Sequence, residues 1–350
     1  MLQRIYLITG ILGHLGSTVA RELLKQGATI RGFDLKQVVH NDLQKEKVNM
    51  FYGDIRNLKE VESLFQDLED YEVIVIHCAG IVSISSHYDE RVYSVNVNGT
   101  KNIVNLCKKY AVKKLVHISS VHAIPEGEKG SLIKEVSSFH PDAVTGLYAK
   151  TKAIASQYVL DATKEGLDAS IIHPSGIIGP YDLGNGHLTS MIIDFLNHNL
   201  TALVKGGYDF VDVRDVTNAI LACTEKGRKG ECYIVTNHYF TVQEIINIVA
   251  NLSNKKMIKT VLPLWFARLT APLSEVYYKI RKMPPLYTSY SLYTLQSNSN
   301  FSHEKATKEL GYEPRPIEET LKDTIIYLGK NNLVKDIQIL IILYGTKIWK

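Results

Sequence analysis

A tyrosine and a lysine four residues apart are the pair whose chemistry is most informative. Tyr148 and Lys152 fall in the run Tyr-Ala-Lys-Thr-Lys, and on a helix this spacing puts both side chains on one face. An ammonium beside a phenol stabilises the phenolate and lowers the pKa of the tyrosine, which suits a general acid that exchanges a proton with a carbonyl or alcohol oxygen. Alone, the same pattern more often marks a solvated helix face. The neighbouring motifs are therefore needed to decide whether this pair is catalytic.

A glycine-rich turn near the N-terminus indicates where a cofactor would bind. The apolar run 5–9 predicts a buried strand that leads directly into Gly10, Gly13 and Gly16, and a helix follows that ends near Gly27. Glycines at such a turn let the backbone approach a pyrophosphate, which then lies on the positive end of the helix. The turn therefore predicts a dinucleotide site.

Asp34 ends the next predicted strand, residues 28–33, and carries the choice of cofactor. Its separation from the glycine-rich turn is close to the roughly 20 residues expected for a carboxylate that bonds the adenosine ribose. A carboxylate accepts hydrogen bonds from a 2′-hydroxyl and repels a 2′-phosphate, so NAD is favoured over NADP. Arg31 and Lys36 lie nearby, and either would soften that preference if it turned inward.

Strands and helices alternate through the first half of the chain. Further strands are predicted at 48–52, 73–77, 115–119 and 169–173, with helices at 58–68, at 92–110 and around Tyr148. This alternation predicts an α/β fold with a parallel, doubly wound sheet, whose ligand crevice lies beyond the carboxyl ends of the strands. The candidate site residues that follow predicted strands are Asp34, Asp54, Gly80, Ser120 and Pro174.

Composition excludes several classes of function. With 350 residues, 45% hydrophobic content and a net charge of +4, the chain can bury a large core and shows no basic cluster that would indicate nucleic acid. The cysteines lack the spacing of a metal site and predict buried thiols in a reducing compartment: Cys78, Cys107, Cys223 and Cys232. The first strand begins close to Met1 and leaves no room for a signal peptide, so we expect a cytoplasmic protein without a bound metal.

Together these motifs resemble the extended short-chain dehydrogenases/reductases, which include nucleotide-sugar epimerases, dihydroflavonol reductases and 3β-hydroxysteroid dehydrogenases. The resemblance covers about residues 4–330 and is closest in character to the last two groups. Its segments are 9–16, similar to TGxxGxxG, and 53–56, 77–80, 96–100, 118–120, 173–180 and 210–216. It implies a Rossmann-type NAD-binding domain over 1–174, with sheet elements also from about 207–236. A smaller, interleaved substrate lobe would cover mainly 175–330.

The resemblance also implies a catalytic triad of Ser120, Tyr148 and Lys152. In reduction Tyr148 would protonate the substrate oxygen, Ser120 would hydrogen-bond the same oxygen, and Lys152 would hold the nicotinamide ribose. The implied NAD-binding positions, besides Tyr148 and Lys152, are Gly10, Leu12, Gly13, His14, Leu15, Gly16, Asp34, Asp54, Ile55, Cys78, Ala79, Gly80, Asn96, Ile118, Pro174 and Ile177. Asn96 either joins the proton path or is a helix-bending polar residue satisfied by the backbone.

Departures from the family pattern narrow the substrate. Tyr208 stands where nucleotide-sugar epimerases typically carry an arginine that grips a diphosphate, and the stretch 284–297 contains no arginine. Sugar dehydratases place an aspartate and a glutamate after the active-site hydroxyl residue, whereas Val121 and His122 follow Ser120 here. The chain therefore lacks both the diphosphate grip and the acid–base pair for water elimination.

The second half offers apolar and aromatic residues instead. The stretch 262–280 and the run Pro284 to Tyr287 would line a pocket for an uncharged, largely apolar alcohol or ketone, or would only pack the lobe against the sheet. Candidate substrate contacts are Val82, His122, His187 and Tyr208, although a lone histidine is more often structural. The tail 331–350 contains an apolar run far shorter than the roughly 20 residues of a membrane span, and we expect it to pack against this chain or a partner.

The sequence thus predicts an NAD(P)-dependent dehydrogenase or carbonyl reductase that transfers hydride between nicotinamide and a largely apolar alcohol or ketone, such as a hydroxysteroid- or flavonol-like substrate. Two alternatives stay open: an NAD-dependent nucleotide-sugar epimerase and a non-catalytic NAD-binding redox sensor. The intact Ser120, Tyr148 and Lys152 set argues against the sensor, which has no need of that chemistry. Relatives of this kind commonly dimerise, and a homodimer would use the helix from Val92 and the helix that bears Tyr148.

Overall fold

A computed structural model describes residues 2–36, 48–183, 186–271 and 288–334. The strands within these ranges are β1 Gln3–Thr9, β2 Thr29–Asp34, β3 Asn49–Tyr52, β4 Tyr71–His77, β5 Lys114–Ile118, β6 Ala169–Pro174, β7 Gly176–Ile178, β8 Leu203–Val204, β9 Gly207–Asp212, β10 Cys232–Val235, β11 His238–Thr241 and β12 Val261–Leu262. The helices are α1 His14–Lys25, α2 Leu58–Glu62, α3 Glu90–Tyr93, α4 Thr100–Lys109, α5 Leu147–Lys164, α6 His187–Leu196, α7 Val213–Lys226, α8 Val242–Ser253, α9 at 264–271, α10 Ser289–Thr294, α11 Glu304–Leu310 and α12 Ile317–Lys330.

The large sheet contains seven parallel strands in the order β3-β2-β1-β4-β5-β6-β10. The first six of these follow the doubly wound order in which a dinucleotide lies across the crevice where the strand order reverses. At that reversal Thr9 pairs with Phe33 on one side and with His77 on the other, so the carboxyl ends of β1, β2 and β4 lie level. The predicted Rossmann-type sheet is confirmed.

Both faces of this sheet are covered by apolar side chains. Leu7 and Val75 pack with Ile103 and Val159 from α4 and α5, whereas Ile8 on the opposite face packs against the side of α1 and α7. Strands that are buried on both faces read as continuous apolar runs, which explains why they could be recognised in the sequence. The sheet is therefore a rigid platform for the residues at its carboxyl edge.

A smaller lobe carries its own core beside that edge. Its three-stranded sheet has the order β11-β9-β7, in which β7 and β9 are parallel and β9 and β11 are antiparallel. Phe210 and Ile246 pack there with Leu321 of α12. Of the sheet elements expected at about 207–236, β10 joins the large sheet, whereas β9 lies in this separate sheet because the chain leaves the platform at β7.

Two predicted helices are interrupted. The helix expected at 58–68 ends at Glu62 and continues as a single 3₁₀ turn, Ser63–Phe65. The helix expected at 92–110 is split into α3 and α4 by a π-helical turn, Ser94–Gly99, which contains Asn96. Such turns are uncommon and often mark functional positions.

Helix α9 points apolar side chains away from the protein. Trp265 and Leu269 are 68% and 70% exposed, while Ala267 and Ala271 pack against Leu292. Trp265 and Leu269 therefore lie on the outer face of α9, because its small residues face inward, whereas Leu264 at the start of the helix lines a cavity. The rest of that stretch, including Pro284 to Tyr287, and most of the 331–350 tail lie outside the described residues. Within the described ranges, no helix is long and apolar enough to cross a membrane.

Candidate active site

The three residues predicted to form a triad converge at the carboxyl edge of β5. Ser120 follows β5 and begins a 3₁₀ turn, and its hydroxyl hydrogen-bonds the phenol of Tyr148 on α5. One turn further along α5, the ammonium of Lys152 donates a 2.9 Å hydrogen bond to the carbonyl of Ile118. All three side chains are more than nine-tenths buried, so their mutual geometry is fixed by the sheet and the helix.

The protonation states of the pair differ from the simple expectation. Burial raises the pKa of Tyr148 to about 12, which the hydrogen bond from Ser120 only partly offsets. Burial also lowers the pKa of Lys152 to about 8. The lowered tyrosine pKa expected from the lysine is not seen, because the ammonium is directed at the Ile118 carbonyl and burial disfavours the phenolate. In this structure Tyr148 is a protonated phenol, the form that donates a proton to a carbonyl oxygen.

His173 fixes the end of the strand that carries Ser120. Its Nδ1 atom lies 2.9 Å from the Ser120 carbonyl oxygen, and its ring stacks on Phe139 with centroids 5.2 Å apart. Burial lowers the pKa of His173 to about 4, so the ring is neutral. The histidine therefore supports the site without contributing a charge.

Asn96 is bonded entirely to the protein. Its side-chain amide donates to the Ile81 carbonyl and to the Thr151 hydroxyl at 3.0 and 3.1 Å, and its oxygen accepts from the Ile81 amide at 2.8 Å. These bonds account for the π-helical turn, because they tie the helix to the segment after β4 and to α5. Of the two interpretations open from the sequence, this geometry favours the structural one.

The glycine turn is shaped as a cradle for a diphosphate. Gly10 adopts the left-handed conformation, with φ of 68°. A Cβ on Gly16 would lie 2.1 Å from the Gly10 carbonyl oxygen, so only glycine lets α1 begin this close to the turn. Gly13 occupies the position just before α1, whose first residue is His14. The helix N-terminus and its free amides therefore face the space above β1.

Two carboxylates lie beside this cradle. Asp34 ends β2, and its Oδ1 and Oδ2 atoms accept hydrogen bonds from the amides of Leu35 and Leu12, each at 2.8 Å. Asp54 follows β3 and is instead paired with Arg56 by side-chain hydrogen bonds, which lower its pKa. Asp34 is thus held against the glycine turn, where a ribose joined to the diphosphate would lie, whereas Asp54 is at the neighbouring strand end.

The other predicted cofactor positions surround the same crevice. Cys78, Ala79 and Gly80 follow β4, and a Cβ on Gly80 would lie 3.3 Å from the Lys152 ammonium. Ile118 ends β5, Pro174 ends β6, and Ile177 lies in β7. Leu12 is buried, Leu15 is half-buried in α1, and Ile55 packs against Gly99 of the π-helical turn. Burial raises the pKa of Cys78 to about 12, so its thiol is un-ionised.

His14 joins the glycine turn to the lobe. Its Nε2 atom lies 2.9 Å from the Pro180 carbonyl oxygen, and burial lowers the pKa of the His14 side chain.

The residues present fit an NAD molecule, since the diphosphate cradle, the ribose carboxylate and the triad follow one another along the carboxyl edge of the sheet. Among the described residues, no group of three histidine, cysteine, aspartate or glutamate side chains is placed to hold a metal ion.

Two of the candidate substrate residues meet beside the catalytic tyrosine. The rings of His122 and Tyr208 stack with centroids 5.3 Å apart, and the Tyr208 hydroxyl lies 3.0 Å from His122 Nε2. The His122 ring also meets the Tyr148 ring edge to face, with centroids 6.0 Å apart. Burial lowers the pKa of His122 to about 4, so this wall of the site is neutral and aromatic.

The other two candidates lie further out. Val82 is 65% exposed in the segment after β4, and His187 is the exposed first residue of α6. Neither residue is part of the ring cluster formed by His122, Tyr208 and Tyr148. Their role as substrate contacts remains a prediction.

Tyr290 also lies beside His122, although it was not identified from the sequence as a candidate substrate contact. It lies on α10, is 8% exposed, and its ring centroid is 6.4 Å from that of His122. Tyr290 and Tyr293 lie three residues apart on this short helix, a spacing that places them on one face. A capped helix with two inward tyrosines was the signal that could have identified them.

Comparisons with known proteins agree with this geometry. The model of the NAD dependent epimerase/dehydratase family matches residues 6–237. The chain is 28% identical to sterol demethylase protein B of Methylococcus capsulatus over 94% of this chain and 99% of that protein. It is 27% identical to the mouse sterol-4-alpha-carboxylate 3-dehydrogenase, decarboxylating, over 88% of this chain and 86% of that protein.

A solved structure shows the same fold. The UDP-glucose 4-epimerase of Thermotoga maritima superimposes with a TM-score of 0.77 at 22% identity, covering 94% of this chain and 99% of that one. Because the family model spans well over half of the sequence, the chain is an NAD(H)-dependent enzyme that belongs to the NAD dependent epimerase/dehydratase family of extended short-chain dehydrogenases/reductases.

Proposed function

We propose that this enzyme is a dehydrogenase or carbonyl reductase that transfers hydride between a nicotinamide and a largely apolar alcohol or ketone of sterol-like type. The observation that carries the proposal is the neutral aromatic wall formed by His122 and Tyr208 against Tyr148. The similarity to sterol demethylase protein B and to the sterol-4-alpha-carboxylate 3-dehydrogenase supports the same substrate class.

The wall argues against a nucleotide-sugar substrate. A sugar diphosphate needs cationic donors, and the tyrosine at 208 is committed to His122 where an arginine would be required. Among the described residues that line the adjoining cavity, Glu126 carries the single formal charge, and it is negative. The Glu126 carboxylate would repel a diphosphate.

Side chains of the protein would perform the proton transfer that accompanies hydride transfer. Bound nicotinamide supplies the hydride. Tyr148, held protonated by burial, donates its proton to the carbonyl oxygen, and Ser120 hydrogen-bonds that oxygen as its charge develops. Lys152, charged below about pH 8, would hold the nicotinamide ribose. Positioning three rigid groups around one oxygen supplies much of the rate enhancement.

We further propose that NAD is preferred over NADP, because the Asp34 carboxylate beside the glycine turn would repel a 2′-phosphate. The division into an NAD-binding domain over 1–174 and a substrate lobe follows the end of β6 at Pro174 and the start of the small sheet at β7. Four free cysteines support a reducing, cytoplasmic location. A homodimer through α4 and α5 stays a proposal based on the family resemblance.

An assay with a panel of substrates tests the proposed function. NADH and NADPH absorbance would be followed separately with saturated steroid ketones, smaller cyclic ketones and UDP-glucose. We expect net oxidation of NADH with the steroid ketones and a slower reaction with NADPH. Interconversion of UDP-sugars without net cofactor turnover would establish the epimerase instead, and inactivity with every ketone would overturn the proposal.

A further inference from the structure

We propose that Tyr290 forms a second oxygen subsite in the substrate pocket, where its hydroxyl donates a hydrogen bond to an uncharged hydroxyl group on the substrate. The inference rests on the proposed function and extends it. It makes the preferred substrate a hydroxylated apolar ketone or alcohol rather than a plain hydrocarbon ketone.

The starting observation is a buried donor without an acceptor. The Tyr290 side chain is 8% exposed, and its hydroxyl has no hydrogen-bond partner in the part of the chain that the structure describes. Buried polar groups are nearly always paired, and an unpaired one costs free energy that a phenylalanine would avoid. The hydroxyl is therefore explained if its partner arrives with the substrate.

The position of the ring points to the reacting centre. Tyr290 lies against Gly146, where a Cβ would come within 2.2 Å of the tyrosine ring. Gly146 immediately precedes α5, whose second residue is Tyr148. The His122 ring contacts both tyrosines, with centroids 6.4 Å from Tyr290 and 6.0 Å from Tyr148. The Tyr290 ring therefore lies in the same aromatic cluster as the catalytic phenol.

The tyrosine is held in place from behind. Thr288 caps α10 by accepting a hydrogen bond from the Ser291 amide at 3.0 Å, and its hydroxyl donates to the Ile84 carbonyl at 2.6 Å. The amide of Tyr290 itself donates to the Ser86 hydroxyl at 3.2 Å. These contacts fasten α10 to the segment that follows β4, so the ring is preorganised and binding need not order it.

The chemistry of the surroundings selects a neutral acceptor. Glu126 accepts a 2.7 Å hydrogen bond from Tyr293, the next tyrosine along α10 and the ring stacked on Tyr290. This carboxylate would repel an anionic substituent, while the neutral imidazole of His122 offers no compensating charge. A hydroxyl group meets the requirement, because it can accept from Tyr290 without bringing a charge into the pocket.

The test uses the full-length enzyme with NADH and a set of saturated steroid 3-ketones. One member is unsubstituted, and the others carry a single hydroxyl at successive ring carbons away from the ketone. We expect the wild-type enzyme to prefer one hydroxylated member by about tenfold in kcat/KM, the effect expected of one hydrogen bond between neutral groups. In Tyr290→Phe this preference should disappear, because kcat/KM for the preferred hydroxylated member falls to about that for the unsubstituted ketone.

Tyr293→Phe is the matched control, because its hydroxyl already has Glu126 as a partner. We expect this variant to keep the wild-type preference, and thermal unfolding of both variants monitors folding. A merely structural role of Tyr290 would lower kcat/KM for all members of the panel alike, and that result would overturn the subsite.

The outcome separates the subsite from the proposed function. If the wild-type enzyme reduces the ketones and Tyr290→Phe retains the same preference among them, the subsite is wrong and the oxidoreductase assignment stands. A preference for a carboxylated over a hydroxylated member would also contradict the neutral acceptor. If the wild-type enzyme reduces no ketone, both the proposed function and the subsite fall.

Discussion

The cofactor side and the substrate side of the crevice are built in different ways. On the cofactor side, short local segments form the site. A glycine turn places α1 against β1, and Asp34 accepts a hydrogen bond from the Leu12 amide of that turn. On the substrate side, His122, Tyr208 and Tyr290 come from three distant parts of the chain and meet through their rings. The first side is specified by backbone shape and the second by side-chain packing.

This difference explains what each side can change. A turn whose glycines leave no room for a Cβ tolerates few substitutions, so the nucleotide site is shared across a large family. A wall of side chains can be rebuilt residue by residue without disturbing the sheet. Replacing a diphosphate-gripping arginine by a tyrosine bonded to His122 converts such a wall from cationic to neutral.

On the cofactor side, the largest effect should come from Gly16→Ala. A Cβ there would lie 2.1 Å from the Gly10 carbonyl oxygen and would push α1 away from the turn. We expect the affinity for NADH to fall by about 100-fold, the equivalent of an overpacking cost near 3 kcal/mol, measured by fluorescence titration.

Gly27→Asn is the control for that substitution, because Gly27 has φ of 74° with nothing near its Cβ and asparagine tolerates such a backbone. It should bind NADH like the wild type. Normal NADH affinity in Gly16→Ala would show that the turn is not the diphosphate cradle.

Asp34→Ser should weaken NAD binding by about 30-fold, since hydrogen bonds to a charged acceptor are lost. The affinity for NADP should fall less or rise, because the repulsion of a 2′-phosphate is removed. Parallel titrations with both cofactors measure the ratio. Glu72→Gln, at the opposite end of β4, should leave the ratio unchanged, and an unchanged ratio in Asp34→Ser would remove this residue from cofactor choice.

The pH dependence of reductive kcat/KM tests the role of Lys152, which lies between the cofactor side and the substrate side. Burial lowers the pKa of Lys152 to about 8, whereas Tyr148 stays protonated to about 12 and His122 is neutral above about 4. Lys152 is the one of these three groups that titrates between pH 7 and 10. Reductive kcat/KM should therefore fall by about tenfold per pH unit above 8. A rate that stays constant to pH 10 would show that the ammonium is not needed.

Tyr208→Phe should have the smallest effect, on the substrate side. It removes the hydrogen bond to His122 Nε2 but keeps the stacked ring. We expect kcat/KM for an apolar ketone to fall by about fivefold, with NADH affinity unchanged, because one neutral hydrogen bond is lost. Tyr158→Phe, which loses a hydrogen bond to Asn105 near the surface, should have no effect. A loss of NADH affinity in Tyr208→Phe would contradict the separation of the two sides.

The same difference decides what the sequence could predict. Gly10 to Gly16, Asp34 and the spacing of Tyr148 and Lys152 were recognisable because local geometry alone defines their role. Strands buried on both faces gave continuous apolar runs, so the order of elements in the sheet was predictable as well.

The features that could not be predicted from the sequence depend on tertiary contacts. The π-helical turn depends on bonds from Asn96 to Ile81 and Thr151, and the position of Tyr290 depends on the missing side chain of Gly146. Trp265 and Leu269 read as pocket-lining residues, but the inward face of α9 carries alanines instead. Each of these outcomes requires knowing which distant segments pack together.

The central claim is that Tyr148 transfers a proton while nicotinamide transfers hydride to an apolar ketone. Rapid mixing of the NADH complex of Tyr148→Phe with a steroid ketone that the wild-type enzyme reduces tests it most directly. The account predicts hydride transfer slower by about 10³-fold, within the range for loss of a general acid, with NADH affinity within about twofold of wild type. Hydride transfer at the wild-type rate in this variant would contradict it.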